Sequence, residues 1–342
     1  MKEKLRLAVA GLGGIGMHVA RLSRLNPRIS LAACCDPVPE KAERFSARFG
    51  VRMHYVEYRA MLDAGGFDAL YLAVPHDLHV PMIREAAGKG LAVFCEKPPA
   101  NDLAGAAELV RLQRAGTKIA INYQNRWEPG CFALIRAVGS GALGRLLYAR
   151  CVVPWRRSRS YFEAAWGWHG LKARAGGGTL ITQGSHFLDV ILAAAGGRAV
   201  KAAGMTANSV FDGIEVEDLA MGTVELSGGA VVSVTSSMVT NPGRPPEIEA
   251  ACEKGTVLWL GSRRTMGSSK LRIMAPGMRV RPERPAVPGI HPLAKSLEAF
   301  RRWIAEGGPA PVTAEDAFRT QAAVDALYRS AASGRTEEVE RI

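Results

Sequence analysis

The sequence predicts an α/β protein, with a doubly wound parallel sheet in its N-terminal half and an α+β domain with a large, mostly antiparallel open sheet in its C-terminal half. Through residue 122, short apolar runs alternate with amphipathic stretches of helical length, which is the pattern of βαβ units. After residue 123, segments of alternating polarity follow one another between Gly, Asn and Pro turns. A length of 342 residues fits two domains, which we predict to span residues 1–122 and 123–342.

Most apolar runs of the N-terminal half are apolar almost throughout, which indicates strands covered on both faces. The predicted strands are residues 5–10, 29–35, 51–55, 69–74, 91–95 and 118–121. Helices are predicted at residues 15–25, where Asn26-Pro27 ends the helix, and at residues 40–49, where Gly50 does so.

The C-terminal half contains fewer clear signals. One helix is predicted at residues 179–195, and strands are predicted at residues 221–226, 230–238 and 256–260. Residues 267–288 are rich in Pro, Gly and Arg and are expected to form a long loop or an excursion at a sheet edge. Two helices, at residues 293–306 and 314–333, close the chain, and we expect the last one to pack back near the first domain.

The charge balance is the unusual feature of the composition. The chain has 44 Lys and Arg residues against 32 Asp and Glu residues, a formal net charge of +12. Such a balance fits nucleic acid, an anionic membrane surface or an anionic ligand. The basic residues are mostly scattered and no groove-reading motif is present, so we expect no nucleic-acid partner.

The six cysteines form no CxxC pair and do not cluster with His at metal-ligand spacing, so neither a zinc site nor any other metal site is predicted. Reduced, buried thiols are expected instead. No segment approaches the roughly 20 apolar residues of a membrane span. The apolar stretch near the N-terminus leads into glycines, which fits a buried strand better than a signal peptide. We therefore predict a cytoplasmic protein that binds no membrane.

A complete GxGxxG motif at residues 11–16 follows the first predicted strand and opens the first helix. Glycine suits this position because the turn is tight and a pyrophosphate must approach backbone N–H groups at the helix start. Asp36 ends the second strand, where its carboxylate can accept hydrogen bonds from an adenosine ribose. The motif predicts a Rossmann dinucleotide site. Asp36 favours NAD because a carboxylate repels a 2′-phosphate, while Lys41 and Arg44 keep NADP open.

A lysine follows the fifth strand, in the sequence Glu96-Lys97-Pro98. The carboxyl ends of parallel strands border the crevice in which open α/β sheets bind ligands. An ammonium group there can exchange a proton with a hydroxyl while hydride leaves the carbon that carries it. A solvated loop lysine is the alternative reading.

A second polar cluster follows three glycines at residues 176–178. Thr182 and His186 are four residues apart in the predicted helix and therefore share one face, with Gln183 beside them and Asp189 near the same side. The glycines permit close approach of a ligand at the helix start. A structural role for His186 is the alternative.

These motifs together resemble the glucose-fructose oxidoreductase, inositol dehydrogenase and MocA (Gfo/Idh/MocA) family over nearly the whole chain. The resemblance rests on GxGxxG, on PHDLH at 75–79, on EKP at 96–98, on GGG-x4-QG-x-H-x2-D at 176–189, and on ALYRS at 326–330 followed by Gly-Arg at 334–335. It implies an NAD(P)-dependent oxidoreductase, active on CH–OH groups of sugars, cyclitols or their derivatives. It also implies Lys97 as catalytic acid/base, a cis peptide at Lys97-Pro98, and a homodimer or homotetramer.

The chain departs from the family at one position. Many members have an aspartate four residues before the histidine of the catalytic helix, and this chain has Thr182 there. Lys97 and His186 would then divide the proton and orienting roles without a carboxylate. A non-catalytic NAD-binding regulatory or sensor protein is the alternative that this departure supports, and the intact Glu96-Lys97-Pro98 and His186 argue against it.

The loop at residues 155–178 is similar to a subset of the family that oxidises the 3-hydroxyl of nucleotide-activated amino-sugar acids. It is aromatic and strongly basic, and Arg forks suit phosphate or carboxylate groups. A loop that merely covers the cofactor or a subunit interface is an equally good reading. Arg126, in a segment that resembles a crevice-facing part of the family, is another candidate for substrate binding, with a structural role as the alternative.

The predicted site has three groups of residues. Lys97 and His186 are predicted to be catalytic. Cofactor contacts are predicted for Gly11, Gly13, Gly14, Ile15, Gly16, Asp36, Val74, Pro75, His76, His79, Glu96, Lys97 and Gln124. Substrate contacts are predicted for Lys97, Arg126, Arg156, Trp168, Thr182, Gln183 and His186. The substrate is expected to be a carbohydrate-like small molecule, and a nucleotide-activated or anionic sugar derivative is one form of it.

Overall fold

The computed structural model describes residues 4–163, 165–262, 269–289 and 291–342. Its N-terminal part contains a six-stranded parallel sheet in the order β3-β2-β1-β4-β5-β6. The strands are β1 (Leu5–Ala10), β2 (Ile29–Cys35), β3 (Met53–Tyr55), β4 (Ala69–Leu72), β5 (Ala92–Glu96) and β6 (Ile119–Asn122). The helices are α1 (Gly14–Arg24), α2 (Pro39–Phe49), α3 (Tyr58–Ala64), α4 (His79–Gly88) and α5 (Leu103–Arg114).

Both faces of this sheet are buried, as the continuous apolar runs predicted. Successive residues of β1 point to opposite faces, so that Leu7 and Val9 lie in one apolar cluster while Ala8 and Ala10 lie in another. The six predicted strands are confirmed within two residues at each end, and so are the two predicted helices. The strand order reverses at β1 and β4, and ligands of such sheets bind at the carboxyl ends next to that point.

The C-terminal part contains an eight-stranded sheet in the order β13-β12-β11-β7-β10-β9-β8-β14. Its strands are β7 (Leu146–Pro154), β8 (Ala199–Ala207), β9 (Leu219–Leu226), β10 (Val231–Ser237), β11 (Glu247–Cys252), β12 (Gly255–Leu260), β13 (Lys270–Met274) and β14 (Glu337–Glu338). The described pairs are antiparallel except β7 with β10, which is parallel. The predicted α+β architecture with a mostly antiparallel sheet is confirmed.

The helices of this part are α6 (Pro129–Gly139), α7 (Ser160–Glu163), α8 (Lys172–Ala175), α9 (Ser185–Ala195), α10 (Pro292–Glu306) and α11 (Ala314–Ser333). Short 3₁₀ segments lie at His76–Leu78, Gln124–Trp127 and Ala165–Gly170. The predicted loop at 267–288 contains β13 at the sheet edge, while its first two residues lie outside the described part of the chain. Strands β7, β8, β11 and β14 were missed by the sequence prediction.

Two helices return to the first sheet. In α10, Leu293, Leu297 and Phe300 join the apolar cluster of β1 and α1, and the Phe300 ring stacks on Phe94 of β5 with ring centroids 4.8 Å apart. Helix α11 begins with a capping box formed by Thr313 and Asp316, and it packs against both α5 and β8. The division at residue 122 stays a prediction, because these helices pack across it.

Among the described residues, no helix combines the length and the apolar character that crossing a membrane requires. All six cysteines are free and buried, and the burial agrees with the prediction.

Candidate active site

A cavity of about 550 Å³ lies at the carboxyl ends of β1, β4 and β5 and extends to the start of α9. One end, which we call the glycine end, is lined by Gly11, Gly13, Ile15, Asp36, Pro37, Lys41, Ala73, Val74, Pro75 and Leu78. The other, the lysine end, is lined by Lys97, Trp155, Arg157, Tyr161, Trp168, His169, Arg174, Thr182, Gln183 and His186. His76, Glu96 and Gln124 also line the cavity.

The glycine end is built from backbone. Gly11 has φ +84°, and a Cβ there would lie 2.2 Å from the carbonyl oxygen of Ala73. A Cβ on Gly16 would lie 2.0 Å from the carbonyl oxygen of Gly11. Gly16 therefore packs against the backbone of the turn and does not face the cavity. Around Gly13, the N-cap of α1, and around Gly14 a Cβ would meet no protein atom within 4 Å. This open space in front of the α1 amide groups has the form of a cradle for an anionic group.

Asp36 is fixed beside that cradle. The carboxylate is buried, and its oxygens accept hydrogen bonds from the backbone N–H of Leu12 at 2.9 Å and of Val38 at 3.1 Å. The Nζ of Lys41 lies 4.0 Å from the carboxylate. The carboxylate therefore borders the cavity in one position, ready to accept from a sugar hydroxyl.

His79 contacts two loops that border the cavity, the one that contains Val74 and the one that contains Pro98. Its ring nitrogens lie 3.1 Å from the carbonyl oxygen of Val74 and 2.9 Å from that of Pro98, and the side chain is fully buried. Burial lowers the pKa of His79 to about 4, so the ring is neutral. His79, Gly14 and Gly16, all predicted as cofactor contacts, are not among the described residues that line the cavity.

Glu96 is anchored before the chain reaches Lys97. Its carboxylate accepts hydrogen bonds from the Tyr71 hydroxyl and from the Asn122 amide, the latter at 2.8 Å. The Asn122 side-chain oxygen accepts in turn from the Ser296 hydroxyl of α10 at 2.7 Å. Burial raises the pKa of Glu96. The Lys97-Pro98 peptide is cis, as the family resemblance implied.

The Lys97 ammonium group lies inside the cavity and donates a hydrogen bond to the backbone oxygen of Thr182 at 2.6 Å. Burial lowers the pKa of Lys97 to about 8; the charge of Arg157 adds to this effect and that of Glu96 opposes it. A lysine with this pKa is neutral in about a tenth of the molecules at pH 7 and in about half of them at pH 8, so it can both accept and donate a proton.

The start of α9 differs from a regular helix. Leu180–Gly184 forms a π-helical turn, which precedes the α-helix proper at Ser185. Thr182, Gln183 and His186 all line the cavity despite the altered spacing. The Thr182 hydroxyl donates to the carbonyl oxygen of Gly178 at 2.6 Å.

Several buried polar atoms at the lysine end have no hydrogen-bond partner among the described residues. They are His186 Nδ1, His169 Nδ1, Arg157 Nε and both amide atoms of Gln183. Burial, aided by the charge of Lys97, lowers the pKa of His169 to about 4 and that of His186 well below its usual value, so both rings are neutral. Unpaired buried polar atoms carry a large desolvation cost. Their convergence on one cavity indicates a ligand that supplies the missing partners.

The loop at 155–178 contributes Arg157 rather than Arg156. Arg156 is exposed and donates to the Asn241 side-chain oxygen at 2.7 Å, and it is paired through its backbone with Val239. Neighbouring residues of an extended chain point to opposite sides, so only one of the two arginines can face the cavity. This placement corrects the prediction for Arg156.

Arg126 and Asp189 form a separate buried ion pair. Two guanidinium nitrogens of Arg126 donate to the Asp189 carboxylate at 2.7 and 2.8 Å, and a third lies 3.4 Å from Asp316. The Thr320 hydroxyl also donates to Asp189 at 3.2 Å. Arg126 thus joins α9 to α11 and is absent from the described lining of the cavity, which corrects its prediction as a substrate contact.

The described residues contain no cluster of His, Cys, Asp and Glu that could hold a metal ion. The cradle at Gly13, the fixed carboxylate of Asp36 and the ammonium of Lys97 follow one another along a single cavity. They fit a dinucleotide whose pyrophosphate lies at α1 and whose nicotinamide reaches Lys97.

Two family models match the chain. The model of the oxidoreductase family with an NAD-binding Rossmann fold matches residues 5–123, and that of the GFO/IDH/MocA C-terminal domain matches residues 133–258. The chain belongs to the Gfo/Idh/MocA family. The predicted family, the enzyme class and the NAD-binding Rossmann domain are thereby confirmed.

Relatives within the Gfo/Idh/MocA family cover the chain to different extents. D-apiose dehydrogenase from Rhizobium rhizogenes is 27% identical over 98% of both chains. Inositol 2-dehydrogenase from Streptomyces avermitilis is 34% identical, over 44% of this chain and 45% of its own length. The solved structure of the WlbA dehydrogenase from Bordetella pertussis, in complex with NADH and UDP-GlcNAcA, is 26% identical with a TM-score of 0.86, covering 99% of this chain and 100% of that one.

Sequence reasoning missed some members of this Gfo/Idh/MocA site. Trp155, Arg157, Tyr161, His169 and Arg174 line the lysine end without having been chosen as site residues. The loop as a whole was identified from its basic and aromatic composition. Periodicity would have distinguished Arg157 from Arg156 only if β7 had been recognised, because that strand leads into the loop.

Proposed function

We propose that this protein transfers hydride between NAD and a secondary hydroxyl group of a sugar, cyclitol or sugar derivative, with Lys97 as the catalytic acid/base. The observation that carries the proposal is the half-buried ammonium of Lys97, with a pKa of about 8, in the cavity that also contains the glycine cradle and the unpaired polar atoms of the lysine end. A general base is most effective when its pKa lies near the working pH.

The side chains of the lysine end divide the work. Neutral Lys97 accepts the hydroxyl proton as the C–H bond gives up its electron pair, and bound NAD supplies the acceptor for that hydride. The backbone oxygen of Thr182 fixes the ammonium, while its hydroxyl is already used by Gly178. His186, neutral and without a carboxylate beside it, orients the substrate through a hydrogen bond from or to Nδ1.

The substrate class follows from the polar atoms and agrees with the relatives. Unpaired donors and acceptors from His169, Gln183 and His186 suit a ligand with several hydroxyl groups. Relatives named for inositol and apiose, and a neighbour solved with UDP-GlcNAcA, support a polyhydroxylated substrate, with a nucleotide-activated sugar as one form.

The test is Lys97→Met, assayed with NAD against a panel of sugars, cyclitols and nucleotide sugars. We expect kcat to fall roughly 10²- to 10⁴-fold, the usual range for loss of an acid/base group, with NAD affinity almost unchanged. Lys89→Met is the matched control, because Lys89 is exposed and pairs with Asp63. Near-normal turnover by Lys97→Met would remove Lys97 from the mechanism.

We also propose that a second copy of the chain covers the open face of the C-terminal sheet. Met205 and Met221, paired across β8 and β9, are 78% and 54% exposed, and Val231 and Tyr148 lie exposed on the same sheet. Large exposed apolar patches mark interaction surfaces. Light scattering should give a dimer or tetramer, and Met221→Asp should shift it towards the monomer. A monomeric wild-type protein would contradict this assembly.

A further inference from the structure

Two of the three glycines before α9 are packed against other parts of the chain. A Cβ on Gly177 would lie 2.3 Å from the Tyr328 hydroxyl oxygen, and a Cβ on Gly178 would lie 1.8 Å from the backbone carbonyl oxygen of Glu217. Real Cβ atoms do not approach other atoms this closely, so both positions require glycine. The sequence predicted that these glycines leave room for a ligand. The structure shows instead that they leave room for Glu217 and Tyr328.

Glu217 accepts hydrogen bonds from three successive backbone N–H groups. Its buried carboxylate accepts from Gly178 at 2.7 Å and from Leu180 at 2.9 Å. Its own backbone carbonyl oxygen accepts from Thr179 at 3.0 Å. The N–H groups at the start of a helix have no acceptor within the helix, and a negative charge there is favourable to the helix dipole. Glu217 thus fixes the segment that leads into the π-helical turn.

Tyr328 of α11 completes this arrangement. Its hydroxyl oxygen accepts from the next backbone N–H group, that of Ile181, at 3.2 Å, and the hydroxyl donates to the Glu217 carboxylate at 2.8 Å. The hydroxyl therefore orients the carboxylate and supplies the acceptor that the carboxylate does not reach. We call Glu217 and Tyr328 together the α9 clamp.

The segment that the α9 clamp fixes includes the acceptor of Lys97. The carbonyl oxygen of Gly178 accepts from the Thr182 backbone N–H at 3.1 Å and from the Thr182 hydroxyl at 2.6 Å. The carbonyl oxygen of Thr182 accepts in turn from the Lys97 ammonium group at 2.6 Å. Hydrogen bonds thus connect Glu217 to Lys97 through two residues, although Glu217 and Tyr328 are not among the described residues that line the cavity.

We propose that Glu217 and Tyr328 are positioning residues, which hold the Thr182 carbonyl oxygen in place and, through it, the Lys97 ammonium group at the site of proton transfer. The proposal rests on the function proposed above for Lys97. A hydrogen bond to the charged form of a group favours that form, so the Thr182 oxygen favours the protonated lysine. A weakened α9 clamp should therefore displace the Lys97 side chain and also lower its pKa.

The experiment uses two variants of the α9 clamp and one control. In Glu217→Gln an NH₂ group replaces one of the two carboxylate oxygens that accept from the backbone, and in Tyr328→Phe the acceptor for Ile181 is lost. With NAD and the substrate panel, we expect kcat to fall roughly 10- to 100-fold, the cost of a misplaced reacting group, with KM for NAD unchanged. Glu215→Gln is the control, because this exposed carboxylate accepts from the backbone N–H of Lys172 instead, and kcat should be that of the wild type.

A measurement without substrate reports on Lys97 itself. The pH dependence of its acetylation by acetic anhydride, followed by mass spectrometry of the peptide that contains Lys97, gives its pKa. We expect about 8 in the wild type and in Glu215→Gln. In Glu217→Gln and Tyr328→Phe the pKa should be lower by about 1, the loss of one hydrogen bond to a charged group. The rise of the turnover rate with pH should move to lower pH in the same two variants.

The outcomes separate this proposal from the proposed reaction. Wild-type kcat and an unchanged pKa of Lys97 in the folded variants would overturn the proposal and leave the hydride transfer standing. Lower activity with an unchanged pKa of Lys97 would also overturn it, because a purely structural role gives that pattern. If urea denaturation shows that Glu217→Gln is unfolded, Tyr328→Phe decides between the same outcomes. A lowered pKa of Lys97 in variants of a protein without turnover would contradict the reaction and leave the contact of the α9 clamp with Lys97 standing.

Discussion

The two ends of the cavity differ in what completes their polar groups. At the glycine end, Asp36 is held by two backbone N–H groups and the α1 cradle is made of backbone. At the lysine end, side-chain atoms of Arg157, Gln183 and His186 are buried without partners. The glycine end is preorganised for a dinucleotide cofactor, which many enzymes share. The polar atoms of the lysine end, in contrast, obtain their hydrogen-bond partners only from a specific ligand. Specificity therefore belongs to the lysine end.

Among the substitutions that test the difference between the two ends, Gly11→Ala is expected to have the largest effect, on the stability of the fold. The new methyl group would meet the Ala73 carbonyl oxygen in a backbone conformation that L residues rarely adopt. We expect the free energy of unfolding to fall by about 2–4 kcal/mol, measured by urea denaturation. Gly13→Ala is the matched control, because its methyl group meets no protein atom within 4 Å and its φ is −72°.

Gly13→Ala should therefore keep the stability of the wild type and weaken NAD binding, because its methyl group occupies the open cradle. Calorimetry with NAD measures this second effect. If Gly11→Ala were as stable as the wild type, or Gly13→Ala bound NAD normally, the glycine end would not be the close-fitting backbone site described.

A smaller effect is expected at the other end from His186→Leu. Loss of a hydrogen bond to the substrate from a buried position costs about 1–3 kcal/mol, so kcat/KM should fall roughly 5- to 150-fold with NAD affinity unchanged. His186→Asn keeps a polar atom near the position of Nδ1 and should recover part of the loss. Equal loss in both variants, or weakened NAD binding, would show that His186 supports the fold instead of orienting the substrate.

The same contrast explains how much the sequence could predict. The glycine end depends on neighbours in sequence, since the GxGxxG turn, α1 and the end of β2 carry their own local signals. Strand β4, and β5 from Ala92 to Cys95, contain only apolar residues because both faces of the parallel sheet are buried, and this run of apolar residues made the two strands predictable from the sequence. Lys97, the proposed acid/base, follows directly after the end of β5.

The lysine end depends on long-range packing instead. The exposed faces of β7 and β8 carry large apolar residues such as Leu147, Tyr148 and Met205 beside polar ones, which hides the periodicity of both strands. The parallel pairing of β7 with β10 brings distant segments together. The choice of Arg157 over Arg156 follows from that pairing. The ion pair of Arg126 with Asp189 likewise joins residues 63 positions apart, for which the sequence carries no local signal.

The pH dependence of hydride transfer tests the central claim most directly. Because Lys97 must be neutral to accept the proton, the single-turnover rate of NAD reduction should rise with pH and level off above about 8 in the wild type. In Arg157→Met the rate should rise at a higher pH than in the wild type, because the Arg157 charge lowers the pKa of Lys97. In Arg157→Lys the rate should rise near the same pH as in the wild type. The rise of the rate with pH should be absent in Lys97→Met. A rise that persists unchanged in Lys97→Met would contradict the role of Lys97 as the base.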